Sequence, residues 1–534
     1  METTKLMTTN TTMLVKPKED GESSVKYRFP SDPEAAVSTP SRRNPSWFDV
    51  WPQILSSVIS LSTVIQVGIN MAYSGVLIPQ LAEDPNIKEF TKAQASWIAS
   101  LVVIAQPIGA FFVGPIMDYI GRRKTSIITN SPIVIGWIMI YFTTHSLWPI
   151  YVARILAGIS AGMSTVGVVY TAEISHAQFR PMLLSLNSVN VALGILIATI
   201  LGVYIEWHVA AIIYGLLALI SLILSFFIPE SPYWLANFTD ASTKQIKSQV
   251  EYLNRTKWLF DEEWIVIQGV MDERNKGVNQ EENSSTTLGF LKAFCEKASY
   301  LPLLLLVILF FLQQTSGTYV VIFYTVNIFK TIGGDFGMGF DEYHATTALG
   351  VLRFIMSLIS AVLSKKMGRR ILLIISSGGM AVSALATAIF LTLNNISTIP
   401  FEADNSTALL LKQSENATSI VENVDLAVDS WWILISVLAF VCTGALGQMV
   451  IPWTMIGELL PTKVRASGSG LVVAYSSIIL FIVIKTFPFF TDFITLPFVF
   501  ISYSVMSVIA IIFIYFFLPE TFGKNFAEIA KYFD

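Results

Sequence analysis

Residues 301–329 read LPLLLLVILFFLQQTSGTYVVIFYTVNIF. Leu303 to Leu312 is wholly apolar, Gln313 and Gln314 interrupt the run, and Ser316-Gly317 follow before Val320, Val321, Ile322 and Phe323 resume it. A helix this long and this apolar crosses a bilayer, which takes about 20 residues. Two amides inside hydrocarbon need partners, because an unpaired polar group there costs several kcal/mol. At about 100° per residue, a continuous helix puts Gln313, Gly317, Val320 and Tyr324 on one face, with Gln314 beside it. Glutamine offers donors and an acceptor, so these amides serve one of two ends: they tie neighbouring helices together, or they bond the hydroxyls of a passenger.

The remaining composition agrees with a membrane reading. The chain has 534 residues, 53% of them hydrophobic and 13% charged, with a mean hydropathy of +0.61; soluble domains carry about 25% charged residues. A net charge of -4 gives no basic surface for nucleic acid. Cys295 and Cys442 are the only cysteines, so no disulfide framework, metal cluster or thiol active site is available from them. No phosphate-cradling loop or nucleophile constellation reads out, which argues against an enzyme or a primary pump and calls for no cofactor. Residues 1–50 are polar, with Pro17-Lys18-Glu19-Asp20 and Arg42-Arg43, and lack the apolar core of a signal peptide. They are expected to form a disordered tail.

Apolar runs follow at about Ile54–Leu77, Ala95–Met117, Ser126–Thr143, Trp148–Ala172, Met182–Ile205 and Val209–Ile228. After a charged gap of about seventy residues come Leu301–Phe329, Thr346–Leu363, Ile371–Leu393, Trp431–Ile456, Leu471–Phe490 and Leu496–Leu518. The expected fold is an all-α membrane protein of twelve transmembrane helices in two six-helix halves, 51–229 and 301–518. A linker with surface helices, such as Lys244–Asn254, occupies 230–300, and a tail occupies 519–534.

Short-loop charge sets the orientation. One set of loops holds Arg122, Arg123, Lys124, Arg180, Lys365, Lys366, Arg369, Arg370, Lys463 and Arg465; the other holds Lys88, Lys92, Lys330 and Lys412. The basic set is expected in the cytosol, together with the linker and both termini. Asn395, Asn405 and Asn416 fit the N-x-S/T acceptor pattern and share the loop before span ten, which this rule places outside. Asn10, Asn237, Asn254 and Asn283 also fit it but fall on stretches read as cytosolic.

The halves echo each other. Asp118-Tyr119-Ile120-Gly121-Arg122-Arg123 after span two is matched by Lys365-Lys366-Met367-Gly368-Arg369-Arg370 after span eight, and Pro229-Glu230-Ser231 by Pro519-Glu520-Thr521. Such repeats are how many secondary transporters are built, with the substrate site between them at the midplane.

These blocks, with Arg154-Ile155-Leu156-Ala157-Gly158, Glu173 and Arg180, Pro232-Tyr233-Trp234-Leu235, Gln313-Gln314-Thr315-Ser316-Gly317, Ile451-Pro452-Trp453, Glu458 and Arg465, resemble the sugar porter family of the major facilitator superfamily. Within it they resemble the facilitated trehalose transporter-like branch. The resemblance covers about Trp51 to Asp534. It implies the major facilitator fold and facilitative carriage of a sugar or similar polyhydroxylated solute across the plasma membrane by alternating access. The other readings are a porter for a different, anionic solute and a weakly transporting, receptor-like member.

From the resemblance, Asp118, Arg122, Arg123, Arg369 and Arg370 form a lock at the cytosolic side, with Glu173 and Arg180, and Glu458 and Arg465, acting as the same device at spans four–five and ten–eleven. Lys365 stands where the family has an acid, which weakens the second-half copy. Gln313, Gln314 and Trp453 stand where the family places sugar-bonding amides and a stacking indole, with Tyr324 on the same face of span seven. Tyr319, Ser188, Ser476-Ser477 and Arg353 depart from the family's usual residues at positions of the site. Met449-Val450 replaces a Gly-Pro before Ile451 and is expected to stiffen span ten. Asn70 stands where proton-coupled members carry Asp, near Arg154, and no Asp or Glu falls mid-span; a proton relay needs such a group. Arg353 lies about nine residues inside span eight from His344, or about 13 Å deep, near the middle of the bilayer. With no midplane acid to pair with it, Arg353 bonds helix carbonyls, snorkels outward, or sits in the solute pathway and favours anionic passengers.

Overall fold

The computed structural model describes residues 45–534 except 86, 88–89, 279–295, 333–341, 365, 395, 397–421, 462–463, 523, 525–527, 530 and 534. Asn395, Asn405, Asn416, Lys365 and residues 1–44 of the expected tail therefore lie outside the described residues.

The first half is built from α1 (Trp51–Glu83), α2 (Lys92–Ile120), α3 (Arg122–Tyr141), α4 (Trp148–Met163), α5 (Thr165–Ile174), α6 (Arg180–Tyr204) and α7 (Trp207–Ser225). The short helices α8 (Pro232–Phe238), α9 (Thr243–Leu253) and α10 (Lys257–Val278) follow. The second half comprises α11 (Lys297–Thr315), α12 (Thr318–Phe323), α13 (Thr325–Ile332), α14 (Glu342–Ser364), α15 (Arg369–Leu393), α16 (Glu422–Leu446), α17 (Ile451–Leu459), α18 (Arg465–Phe493) and α19 (Leu496–Phe517).

Ten of these stretches are long and apolar enough to cross a membrane, α4–α5 and α16–α17 each counting as one crossing. The other two crossings are α3, whose polar start at Arg122-Arg123-Lys124 dilutes its apolar character, and the segmented α11–α13.

Local chemistry sets the helix ends. Thr91 and Gln94 form a reciprocal capping box at the start of α2. Pro52, Pro149, Pro181 and Pro497 sit in the first turn of their helices, where a missing N–H leaves no bond unmade. The outer surface is apolar, with Phe111, Phe112, Ile220, Val382 and Phe516 exposed, as lipid contact requires.

Packing repeats between the halves. α1 lies on α6 and α11 on α18, α2 on α4 and α14 on α16, α3 on α7 and α15 on α19. The halves meet where α2 packs on α18 and α14 packs on α6, two contacts exchanged by the repeat. Phe48–Asp534 is one compact unit, and the end of the chain joins it: Ile529 and Phe533 are buried with Leu305 and Leu518.

Two crossings differ from the sequence expectation. Span seven is not one helix, because Gly317 takes a φ of +84°, a conformation that only glycine adopts without steric cost. The Tyr503 ring lies 2.3 Å from where a Cβ would sit. The face shared by Gln313, Gly317, Val320 and Tyr324 therefore ends at the break.

Span ten is not stiffened: it is interrupted at 447–450 despite Met449-Val450. Pro452 has no N–H for the carbonyl four residues back, that of Gln448. Gln313 Nε2 donates to that carbonyl instead at 2.7 Å. Ser376 Oγ accepts from Gln448 N at 2.9 Å on the other side of the break.

Candidate functional site

The breaks in spans four, seven and ten converge on a cavity between the halves. Ser188, Gln314, Tyr319, Arg353, Trp453 and Ser477 all line it. Gln314 Nε2 donates to Ser476 Oγ at 2.7 Å, while its Oε1 has no protein partner. The Tyr319 hydroxyl meets both the Trp453 indole and the charge of Arg353. Phe310 meets Trp453 edge-on at 5.2 Å and fixes the plane of the indole. Ser188 Oγ, from the first half, donates to the Met449 carbonyl at the break in span ten at 3.2 Å. The cavity volume is about 40 Å³, where one water needs about 10–15 Å³. This conformation has room for a few waters.

Three expected site residues lie elsewhere. Gln313 caps the span-ten break. Tyr324 stacks on Phe487 at 4.9 Å and donates to the Ile484 carbonyl at 3.0 Å. Asn70 lines a smaller adjoining cavity with Ser74 and Phe323. Its backbone carbonyl accepts from Arg154 Nη1 at 3.1 Å, and Ser74 Oγ accepts from Arg154 Nη2 at 2.9 Å. Reading the sequence missed Gln106, Asn187 and Ser164, which also line the central cavity. Gln106 carried a signal, since it is the only polar side chain from Leu101 to Met117.

The basic end is closed by two copies of one arrangement. Arg122 grips Glu173 through Nε at 3.1 Å and Nη2 at 2.8 Å. Arg369 grips Glu458 in the same way at 3.3 and 2.7 Å. Both pairs are almost wholly buried. Each glutamate also accepts from a hydroxyl, Ser231 on Glu173 and Thr521 on Glu458. Glu230 caps the start of α3 through the amides of Arg122 and Arg123, as Glu520 caps α15 through those of Arg369 and Arg370. Burial holds the Glu230 carboxyl above its ordinary range although three amides donate to it. Arg123 reaches the Phe226 carbonyl and Arg370 that of Tyr515.

Among the described residues the ion pairs are Glu173 with Arg122, Glu458 with Arg369 and, at 3.5 Å, Asp118 with Arg122. Each pair joins the start of one helix to the end of another within one half. Arg180 donates to the Ser175 carbonyl at 3.0 Å and interacts electrostatically with Tyr233 and Glu263 ahead of Glu458 of the other half, while Arg465 donates to the Leu460 carbonyl at 3.1 Å and interacts with Glu173. Of the charged residues expected in the lock, Asp118 makes a direct cross-half hydrogen bond, accepting from Ser467 Oγ at 3.5 Å. Backbone proximity seals the same seam. A Cβ on Gly114 would lie 2.4 Å from Ser467 Cα, and one on Gly470 2.3 Å from the Ala110 carbonyl oxygen.

Two halves related by a repeat, with a polar cavity between them and an ion-paired end, define a membrane transporter. The family described as Sugar (and other) transporter matches residues 55–533, and the chain belongs to it. It is similar to the facilitated trehalose transporter Tret1 of Aedes aegypti, 29% identical over 486 residues, covering 90% of this chain and 55% of that relative. The Tret1 of Culex quinquefasciatus is likewise 29% identical, over 511 residues, with 95% and 90% covered. The chain thus spans little more than half the length of some relatives and nearly all of others. In fold it is similar to the major facilitator superfamily proton:xylose symporter XylE bound to 6-bromo-6-deoxy-D-glucose, with a TM-score of 0.72 at 20% identity, covering 91% of this chain and 100% of that one.

Proposed function

We propose that the chain is a facilitative sugar transporter of the plasma membrane, working by alternating access, with its basic end and both termini in the cytosol. The observation that carries this is the central cavity: amides, hydroxyls and one fixed indole gathered at the seam between two halves. An indole packs against the C–H face of a sugar while amides bond its hydroxyls. The names of the insect relatives support a sugar as passenger. Among the described residues, none lining the cavity carries a carboxylate, and Asn70 beside Arg154 is neutral, which supports uniport over proton coupling.

Uptake of trehalose and glucose into proteoliposomes tests the reading. The final internal level is expected to match the external one with or without an imposed pH gradient. Accumulation above that level, collapsed by a protonophore, would overturn uniport. Trp453→Ala and Gln314→Ala are each expected to raise KM about tenfold, the effect of losing one well-placed contact of about 1.4 kcal/mol; unchanged KM in folded protein would make both residues structural.

The orientation has its own test. Changing Asn395, Asn405 and Asn416 together to Gln should abolish any endoglycosidase-sensitive mass shift. A shift that survives through Asn237 or Asn254 would reverse the topology.

A further inference from the structure

We propose that the cavity holds an anion subsite centred on Arg353, and that the preferred solute is a sugar bearing one carboxylate, of the uronate class. This deepens the sugar-transport reading above and rests on it.

Arg353 is 4% exposed and lines the cavity from the middle of α14. Its Nη1 is buried without a hydrogen-bond partner among the described residues, with the Tyr319 hydroxyl near its charge. Three other buried arginines have clear partners. Arg122 and Arg369 hold glutamates, and Arg154 bonds the Asn70 carbonyl and Ser74 and lies 5.0 Å from the centre of the Tyr73 ring. A guanidinium facing a cavity at membrane depth is costly unless something completes it.

The chemistry of the complement follows from the lining. A carboxylate accepts two parallel bonds from one guanidinium, the geometry this side chain is built for. Among the described residues the lining holds a single cation, with no Lys, His or second Arg. One positive charge neutralises one carboxylate, whereas a phosphate monoester would bring a second charge with nothing to meet it. The other end of the solute meets uncharged groups: Gln314, whose Oε1 is free to accept a hydroxyl, together with Gln106, Asn187 and the Trp453 indole. The site is therefore neutral when loaded and cationic when empty. Each turnover by uniport then carries one negative charge across the membrane.

The test uses the full chain in proteoliposomes, with labelled glucuronate, glucose and trehalose. Wild-type protein is expected to take up glucuronate at least tenfold faster than glucose at equal concentration, with a matching movement of negative charge. Arg353→Asn should invert the preference, lowering glucuronate uptake tenfold or more and raising that of glucose, and Arg353→Lys should retain part of the glucuronate uptake.

Thermal stabilisation of the purified wild type needs no variant: glucuronate should raise the melting temperature more than glucose does. Stabilisation by chloride or acetate equal to that by glucuronate would overturn the sugar-acid assignment. Equal loss of all sugars in Arg353→Asn would reduce Arg353 to a structural role and overturn the subsite. Trehalose or glucose transport with neither uptake of nor stabilisation by glucuronate overturns the subsite and leaves the sugar reading standing. No transport or stabilisation by any of the three removes both.

Discussion

Replacing Glu458 by alanine should lower stability by about 3–5 kcal/mol, the usual cost of leaving one partner of a buried ion pair alone. Arg369 would keep its charge at 1% exposure, and the Thr521 hydroxyl would lose its acceptor. The double variant Glu458→Leu with Arg369→Leu should recover most of that loss, because apolar side chains of similar size remove the desolvation cost along with the attraction. Thermal unfolding of detergent-purified protein measures both. Equal melting temperatures for the single and double variants would mean that the two residues are not coupled.

Gly317→Ala should be similarly damaging for a different reason. The backbone there is left-handed, which costs a residue with a Cβ about 1–2 kcal/mol. The new methyl would meet the Tyr503 ring, 2.3 Å away, and overpacking of this kind adds about 1–3 kcal/mol. Adding Tyr503→Ala should relieve the clash and leave the backbone strain, so the pair should recover only part of the loss. Full recovery would show that the ring alone dictates glycine; no recovery would show that the conformation alone does.

Most crossings were legible because hydropathy needs no partner: ten of the runs had the length and composition to span by themselves. The interrupted crossings were less legible. Ser316-Gly317 announced a break that the helical-face argument ignored. In span ten the absence of Gly-Pro drew attention from Gly447 and Pro452, which bracket the actual interruption. What breaks that helix is a carbonyl left over by Pro452, and its replacement donor, Gln313, lies on another crossing.

The ion pairs were illegible for the same reason. Glu173 is close to Arg180 along the chain, yet helix packing brings it Arg122. The cavity was half legible. Gln314, Tyr319, Trp453 and Ser188 stood out as departures from, or matches to, a pattern, while Gln106 and Asn187 acquire meaning only when several helices face one space.

The two buried bidentate ion pairs at the basic end run within each half, and this bears on speed. Arg122 with Glu173 and Arg369 with Glu458 travel with their own half when the ends part. Direct side-chain bonds between the halves there are of a weaker kind, Ser185 to Ser364 at 3.2 Å and Ser467 to Asp118 at 3.5 Å. The neutral bond is of the class worth about 0.5–1.5 kcal/mol and the one to the carboxylate about 1.5–3 kcal/mol, so these two bonds together add only a few kilocalories to the closed arrangement. Under the proposed alternating access, the seam that must part is a thin layer of hydroxyls and close-packed glycines, where single substitutions are expected to change the cycling rate without unfolding either half.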